Sequence, residues 1–317
     1  MLSNLTETDI RLLKVFAKVV EAGGFSAAQI ELNVGQSTIS THMTALEQRL
    51  GVRLCERGRS GFSLTERGQL IYQACQRLFV ALDEFRSDAG AARNCLTGSL
   101  VVGFVDSLVT NPVCKLHRAI ALFCGKAPEV QVSMRVSSPS EIERLVLDGS
   151  YDVGLGACGQ HSPYLEYEDL FEERQVLYCG EGHPMFKRNS TVGLADLDDQ
   201  HFVRRAYAAP DKLPSGIGRT IEAVADLMEG VAALILSGKF IGFLPAHMAQ
   251  QWVSTDMMRP ILDQELGYQN PVYVTTRKTE AKKPVLSLFL SELRAAHGVA
   301  PHRATPARAK IRLPMSA

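Results

Sequence analysis

The chain has 317 residues, enough for two domains or more, with 46% hydrophobic and 21% charged positions, an ordinary soluble balance. Its 34 Lys and Arg match 34 Asp and Glu, a formal net charge of zero; this argues against a nonspecific polyanion coat and for a basic surface placed locally. Seven scattered cysteines without a CxxC pair predict free thiols, no run approaches a membrane span, and Glu7, Asp9, Arg11, Lys14 and Lys18 make residues 2–20 too charged for a secretory signal, so the expected location is the cytoplasm.

A first helix is read from the repeat of Leu12, Leu13, Phe16, Val19 and Val20. After the Gly23-Gly24 break, Ser26 is the expected N-cap of a second helix running through Ala28 and Ile30 to Leu32. Asn33-Val34-Gly35 then makes a turn, with Gly35 expected at positive φ. The next helix has two faces. Ile39, Met43, Leu46 and Leu50 form a short apolar stripe that docks it on a small domain. Ser37, Thr38, Thr41 and His42 lie opposite, near its start, and suit a recognition helix whose first residues meet base edges in a major groove. A hairpin follows, with strands expected over 52–55 and 62–65. Its tip, Arg57-Gly58-Arg59-Ser60-Gly61, would set Arg57 and Arg59 against phosphates or in the minor groove.

A long helix is predicted from about 68 to 92. Ile71, Ala74, Leu78, Ala81, Leu82 and Phe85 recur at near-heptad spacing. Such a helix, roughly 35 Å long, is too long to bury that stripe on a small winged domain and needs a partner, either a second subunit or the chain's own following domain. Thr97-Gly98 ends it. Strands over 100–105, 130–136 and 152–156, with helices over 113–123 and 139–147, then predict a largely parallel sheet with helices outside. A second α/β unit is expected from about 166, with strands over 175–179, 202–205 and 241–244 and helices over 218–222 and 228–237. The chain then returns to the first unit through a strand over 271–276 and a helix over 284–296. From 297 onward the Ala-, Pro- and Arg-rich end without acids reads as a disordered basic tail.

Ligands in open α/β sheets bind beyond the carboxyl ends of strands. Three such ends carry polar groups: Asp106-Ser107 to Thr110, Ser138 with Ser140, and Arg204-Arg205. Hydroxyls and N–H groups at helix starts favour a carboxylate or phosphate, and the arginines could clamp an anion. Asp106 repels an anion and suits an amine or hydroxyl instead. Met228 and Phe243 are candidate pocket walls. Gly154-Leu155-Gly156-Ala157-Cys158-Gly159 spells GxGxxG, but His161-Ser162-Pro163 follows where the fingerprint needs a helix, so no dinucleotide site is expected. No HExxH, P-loop or GxSxG occurs, and the eight histidines lack metal-ligand spacing, so neither metal nor catalytic residues are assigned.

The N-terminal pattern resembles the LysR-type transcriptional regulators. The residues that carry the likeness are Phe16, Val19, Gly24, Phe25, Ser26, Ala28, Leu32, Gln36-Ser37-Thr38-Ile39-Ser40, Leu46-Glu47, Leu50-Gly51, Leu54, Arg57, Leu64-Thr65 and Gly68. The chain departs from the family at Thr41 and His42, where Arg or Lys often follows the serine, so an operator sequence is not carried over. The resemblance implies a mixed α+β and α/β protein with a winged helix-turn-helix (1–66), a linker helix (67–96) and a two-lobed, type 2 periplasmic-binding-protein-like effector domain (97–296). Lobe I would take about 97–165 and 267–296, lobe II about 166–266, with 297–317 as the tail. Ser26, Gln36, Ser37, Thr38, Ser40, Thr41, His42, Arg57 and Arg59 are the expected DNA contacts. Ser107, Thr110, Ser138, Ser140, Arg204, Arg205, Met228 and Phe243 are the expected contacts of an unidentified small-molecule effector, with no other cofactor. The implied partners are double-stranded DNA carrying an interrupted inverted repeat, a second subunit through the linker helix, a homotetramer, and RNA polymerase as a candidate. A solute-binding or redox-sensing protein, and least of all an enzyme, are the alternatives.

Overall fold

The computed structural model describes residues 4–58, 61–91, 96–158, 161–206, 221–278 and 283–299. The chain divides into two compact units, Met1–Phe85 and Arg86–Ala317.

The first unit opens with α1 (Glu7–Glu21). Thr6 caps it: its hydroxyl accepts the Asp9 N–H while the Asp9 carboxylate accepts the Thr6 N–H at 2.9 Å, a reciprocal capping box. Leu12, Phe16 and Val19 face inward and are buried. Helix α2 (Phe25–Leu32) starts one residue before the expected cap. Gly24, at φ 149°, is the N-cap, and Ser26 is an exposed residue of the first turn. The reason is the reversal after α1, which needs positive φ at both Gly23 and Gly24. The turn into α3 (Gln36–Leu50) also differs from expectation. Asn33 takes the left-handed conformation (φ 51°), and Gly35 is extended at φ −65° as the N-cap of α3. Ile39, Met43 and Leu46 are fully buried beneath α3.

Strands β1 (Cys55–Gly58) and β2 (Gly61–Leu64) form the antiparallel wing, with Cys55 opposite Leu64. The first strand begins three residues later than predicted. The Leu54 N–H is held at 2.7 Å by the Glu47 carboxylate, which ties the segment to α3 rather than to the ladder. Helix α4 (Glu66–Ala91) is capped by Thr65, whose hydroxyl accepts the Gly68 N–H at 2.9 Å. Its Cys75 is buried in the core of this unit, and Ile71, Tyr72, Leu78 and Phe79 pack against it. Part of the predicted seam, Ile71 and Leu78, is therefore packed on the winged domain itself. Phe85, at 71% exposure, is not.

The second unit holds one nine-stranded sheet among the described residues. Its first strands are β3 (Gly98–Phe104), β4 (Val130–Val136) and β5 (Val153–Gly156). Then follow β6 (Leu165–Gly180), β7 (Phe202–Arg205), β8 (Ile221–Ala225), β9 (Ile241–Pro245), β10 (Met258–Ile261) and β11 (Tyr268–Arg277). The order is β4-β3-β5-β11-β6-β9-β7-β8, with β10 beside β6. The sheet is mixed rather than largely parallel. β3 runs parallel to β4 and β5, and β7 to β8 and β9, but β6 and β11 run antiparallel to their neighbours. These two strands carry the chain between two lobes. β6 is 16 residues long; only 175–179 was predicted, because the run Glu166-Tyr167-Glu168-Asp169 and Glu172-Glu173-Arg174 is too charged to read as a strand. Part of the helix expected over 218–222 is strand β8 at Ile221 and Glu222, and the rest lies outside the described residues.

The helices of this unit are α5 (Leu116–Lys126), α6 (Pro139–Asp148), α7 (Met228–Leu236), α8 (Ala246–Val253), α9 (Asp263–Leu266) and α10 (Pro284–His297). One core gathers Leu100, Val102, Leu116, Phe123 and Phe289, with the two phenylalanine rings edge-on at 5.7 Å. Separate cores in the other lobe gather Val176, Val231, Ile235 and Leu244, and Leu177, Phe202 and Ile241. His297 belongs to α10 rather than to a tail. It accepts the Lys115 N–H at 2.8 Å and stacks on Phe171, and burial lowers its pKa below the usual histidine value. Residues 300–317 lie outside the described residues.

Candidate nucleic-acid interface and effector cleft

The first turns of α3 present Gln36, Ser37, Thr38 and Thr41 exposed, with Ser40 and His42 half-buried. The Thr41 hydroxyl donates to the Ser37 carbonyl at 2.9 Å, and Thr44 does the same to Ser40. With its one proton committed, Thr41 offers outward a methyl group and an acceptor lone pair. These match a thymine methyl or the exocyclic amine of adenine or cytosine. The Nδ1 of His42 is buried and meets no partner among the described residues, so any outward contact falls to its other ring nitrogen. Arg57 lies in β1, and Arg59 lies outside the described residues.

What holds this helix in place was not visible in the sequence pattern. Asp9, fully buried at the start of α1, receives Arg49 from the end of α3 through a two-pronged ion pair, with Nη2 at 2.7 Å from Oδ2. The guanidinium and the Thr6 hydroxyl together pull the Asp9 carboxyl down to about 2. The Thr6-to-Asp9 spacing is a capping-box signal that would have marked the carboxylate, though not its partner forty residues on.

In the second unit a cavity lies at the ends of β4 and β7, and of the eight expected effector contacts its lining among the described residues includes Ser138 and Ser140 but not Ser107, Thr110, Arg204, Arg205, Met228 or Phe243. The cavity, of about 480 Å³, is lined by residues including Ser137, Ser138, Ser140, Glu141 and Asp226. Ser138 and Ser140 are thus on its wall, their hydroxyls 3.4 Å apart. Ser107 sits in the left-handed region at φ 59°, and its carbonyl accepts the Thr110 hydroxyl at 2.7 Å. Thr110 in turn meets His247 Nδ1 at 3.2 Å, and His247 Nε2 lies 2.9 Å from Glu173. Arg204 folds back on the carbonyls of Arg205 and Ala206. Arg205 hydrogen-bonds Tyr268, against which the Phe243 ring packs at 5.4 Å. The Met228 side chain is buried in the core of its lobe rather than on the cavity wall, and its N–H donates to the Asp106 carboxylate. Burial raises the pKa of Asp106, partly offset by that N–H. The Glu173–Gln175–His247 group went unread because His247 lies 74 residues from Glu173 and carries no local mark of it.

Gly154 and Gly156 are strand residues of β5, and the following described residues form no helix, so the GxGxxG spelling carries no dinucleotide turn. Among the described residues, no cluster of three metal-ligating side chains occurs and no helix is long and apolar enough to cross a membrane.

This architecture, a winged helix-turn-helix followed by a two-lobed α/β fold, is that of a DNA-binding transcription regulator. Residues 10–69 match the family of bacterial regulatory helix-turn-helix proteins of the lysR type, and residues 94–298 match the LysR substrate binding domain. The chain belongs to the LysR family: it is a DNA-binding transcriptional regulator with a substrate-binding domain, not an enzyme. It is similar to the HTH-type transcriptional activator BauR of Pseudomonas aeruginosa, with 39% identity over 297 residues, spanning 91% of this chain and 95% of the relative. The probable HTH-type transcriptional regulator LrrA of Synechococcus elongatus is 30% identical over 200 residues, 63% of this chain and 66% of the relative. Among solved structures, full-length CbnR complexed with its target DNA shares the fold, with TM-score 0.60 and 23% identity over 91% of this chain and 99% of that one.

Proposed function

We propose that this regulator reads its operator with the start of α3 and answers to a small molecule held between the lobes of the second unit. The observation that carries the first part is the division of α3 itself. Ile39, Met43 and Leu46 are fully buried on one side, while Ser37, Thr38 and Thr41 stand exposed on the other at the helix start. Ser37, Thr38, Thr41 and His42 read base edges; Gln36 and Ser40 support them or touch phosphate; Ser26, Arg57 and Arg59 anchor the backbone. The exposed Phe85 end of α4 pairs with a second subunit, within the boundaries 1–66, 67–96 and 97–296 for the three segments. Two recognition helices fixed on one dimer call for an interrupted inverted repeat. Contacts between effector domains extend the dimer to a tetramer, and RNA polymerase is the partner through which transcription responds. An effector shifts this assembly by its differential affinity for two states, typically about 1–3 kcal/mol.

A pair of substitutions separates reading from anchoring. Thr41→Ala lowers affinity for the operator about tenfold and leaves affinity for random DNA nearly unchanged. Arg59→Ala weakens both alike and reduces the salt slope of binding by about 1. Fluorescence anisotropy over a salt series measures both, and equal losses on the two DNAs for Thr41→Ala would remove it from the base-reading set.

A further inference from the structure

One residue of α3 stands where the helix alone does not call for it. Glu47 lies half-buried in the last turn, where the unpaired carbonyls of a helix end favour cations over carboxylates. Its partners lie beyond the helix. The main-chain carbonyl of Glu47 accepts the Gly51 and Val52 N–H groups at 2.8 and 3.2 Å. One oxygen of its carboxylate accepts the Leu54 N–H at 2.7 Å and the Cys55 N–H at 3.4 Å. The chain leaving α3 is thus gathered, from Gly51 to Cys55, on a single residue of the recognition helix. Leu54 is fully buried and Cys55 nearly so, and buried N–H groups need a protein acceptor where water does not reach.

The wing needs such a tether. β1 and β2 have four residues each, and a two-stranded hairpin is at best marginally stable alone in water. Its direction is therefore set at its base. From β2, the Phe62 ring packs edge-on against Phe25 of α2 at 5.9 Å. At the exit, the Thr65 hydroxyl donates to the Arg53 carbonyl at 2.7 Å and ties the base to the start of α4. Glu47 supplies the link from the β1 side to α3. Cys55, whose N–H it holds, is the first residue of β1, and Arg57 follows two residues along the same strand.

We propose that Glu47 is a positioning residue for DNA binding: it fixes the wing, with Arg57 and Arg59, relative to α3, so that base reading and backbone anchoring fall in one register. This assignment rests on the reading of Arg57 and Arg59 as backbone anchors. Glu47 acts through the wing rather than on DNA, because its carboxylate is engaged by the main chain. A wing held in place before binding loses less freedom when it binds, and affinity rises accordingly.

The test is a double-mutant cycle on the full-length protein, read by fluorescence anisotropy on two labelled duplexes, an operator fragment selected from genomic DNA and unrelated DNA, well below the melting temperature of the first unit. Glu47→Ala weakens binding to both duplexes about fivefold and lowers the salt slope by about 1. Loss of a negative charge by itself would strengthen binding to DNA, so the sign separates the tether from the charge. In a protein that already carries Arg57→Ala and Arg59→Ala, Glu47→Ala costs less than about twofold more, because no anchor remains to be aimed. An equal loss in both backgrounds would overturn the positioning role and leave Glu47 as a residue that only holds the fold. Unchanged or tighter binding by Glu47→Ala would overturn it as well. If replacing the two arginines costs no affinity, the anchoring role of the wing fails and takes that of Glu47 with it, a result read from proteins in which Glu47 is intact. Should Glu47→Ala melt too low for titration, Glu47→Gln, which keeps an acceptor for the Leu54 N–H, enters the same cycle with an expected loss of about threefold.

Discussion

Gly68→Ala is expected to abolish operator binding by unlocking the winged unit, although Gly68 is not among the proposed DNA contacts. A Cβ at this position would stand 1.9 Å from the Leu54 carbonyl oxygen and 2.8 Å from its carbon. Both neighbours are backbone, and both are anchored. The Gly68 N–H is bonded to Thr65, the Leu54 oxygen accepts the Thr65 N–H at 3.0 Å, and the Leu54 N–H is held by Glu47 on α3. Relief therefore requires the start of α4 to lift away, which strips cover from Leu54 and Cys75, two of the most buried residues of the unit. Overpacking of this kind costs about 3 kcal/mol, a large share of the stability of a domain this small. Calorimetry should show the transition of the first unit moved down by on the order of 15 °C, with operator affinity falling in parallel. A Gly68→Ala protein with unchanged Tm would mean that the contact with Leu54 yields without cost.

Arg49→Ala is expected to have the next largest effect, again without a direct role at DNA. It removes both prongs from Asp9, a carboxylate with no exposed surface, and leaves Thr6 as its remaining partner among the bonds described. Stranding one member of a buried pair is more damaging than never having built the pair. Tm of the first unit should fall by on the order of 10 °C. Arg49→Lys should restore only part of this, because an ammonium cannot make the two-pronged bond. The pH dependence follows from the direction of the Asp9 shift. Its folded value, about 2, lies below the ordinary 3.8, so the folded unit binds this proton less readily than the unfolded chain. The stabilisation is therefore complete above about pH 4 and is lost as pH falls through about 2. In Arg49→Ala the folded value returns toward the ordinary one, and the acid-limb slope should flatten. Circular dichroism melts across that range measure it, and parallel acid limbs in the two proteins would contradict the assignment.

The two cases show what the sequence could and could not disclose. The apolar stripe of α3 was legible because Ile39, Met43 and Leu46 repeat at helical spacing, and spacing is local information. The polar start of the same helix was legible for the same reason. The Asp9–Arg49 pair was not, because its members belong to different helices and carry no local mark of each other. At Asn33 and Gly35 the turn was located correctly, but the left-handed residue was assigned to glycine by propensity, whereas Asn33 adopts it and Gly35 serves as an extended cap. Strand β6 was seen only in its apolar end, since its acidic half faces partners that alternation alone does not reveal. In the cleft, Ser138 and Ser140 were found as strand-end hydroxyls, and Asp106 was flagged as hostile to an anion. That Asp106 fills the start of α7, and that Gln175 lies buried beside Glu173, required β3, β6 and α7 to be brought together by the fold.

Everything proposed for the first unit depends on α3 reading a particular DNA sequence. The most direct test is selection of genomic fragments by the purified full-length protein, followed by competition titration of the enriched fragment against unrelated DNA at near-physiological salt. The expected result is an enriched interrupted inverted repeat, bound at least about a thousandfold more tightly than unrelated DNA. Fragments bound without a shared motif, with affinities that differ little from random DNA, would contradict it.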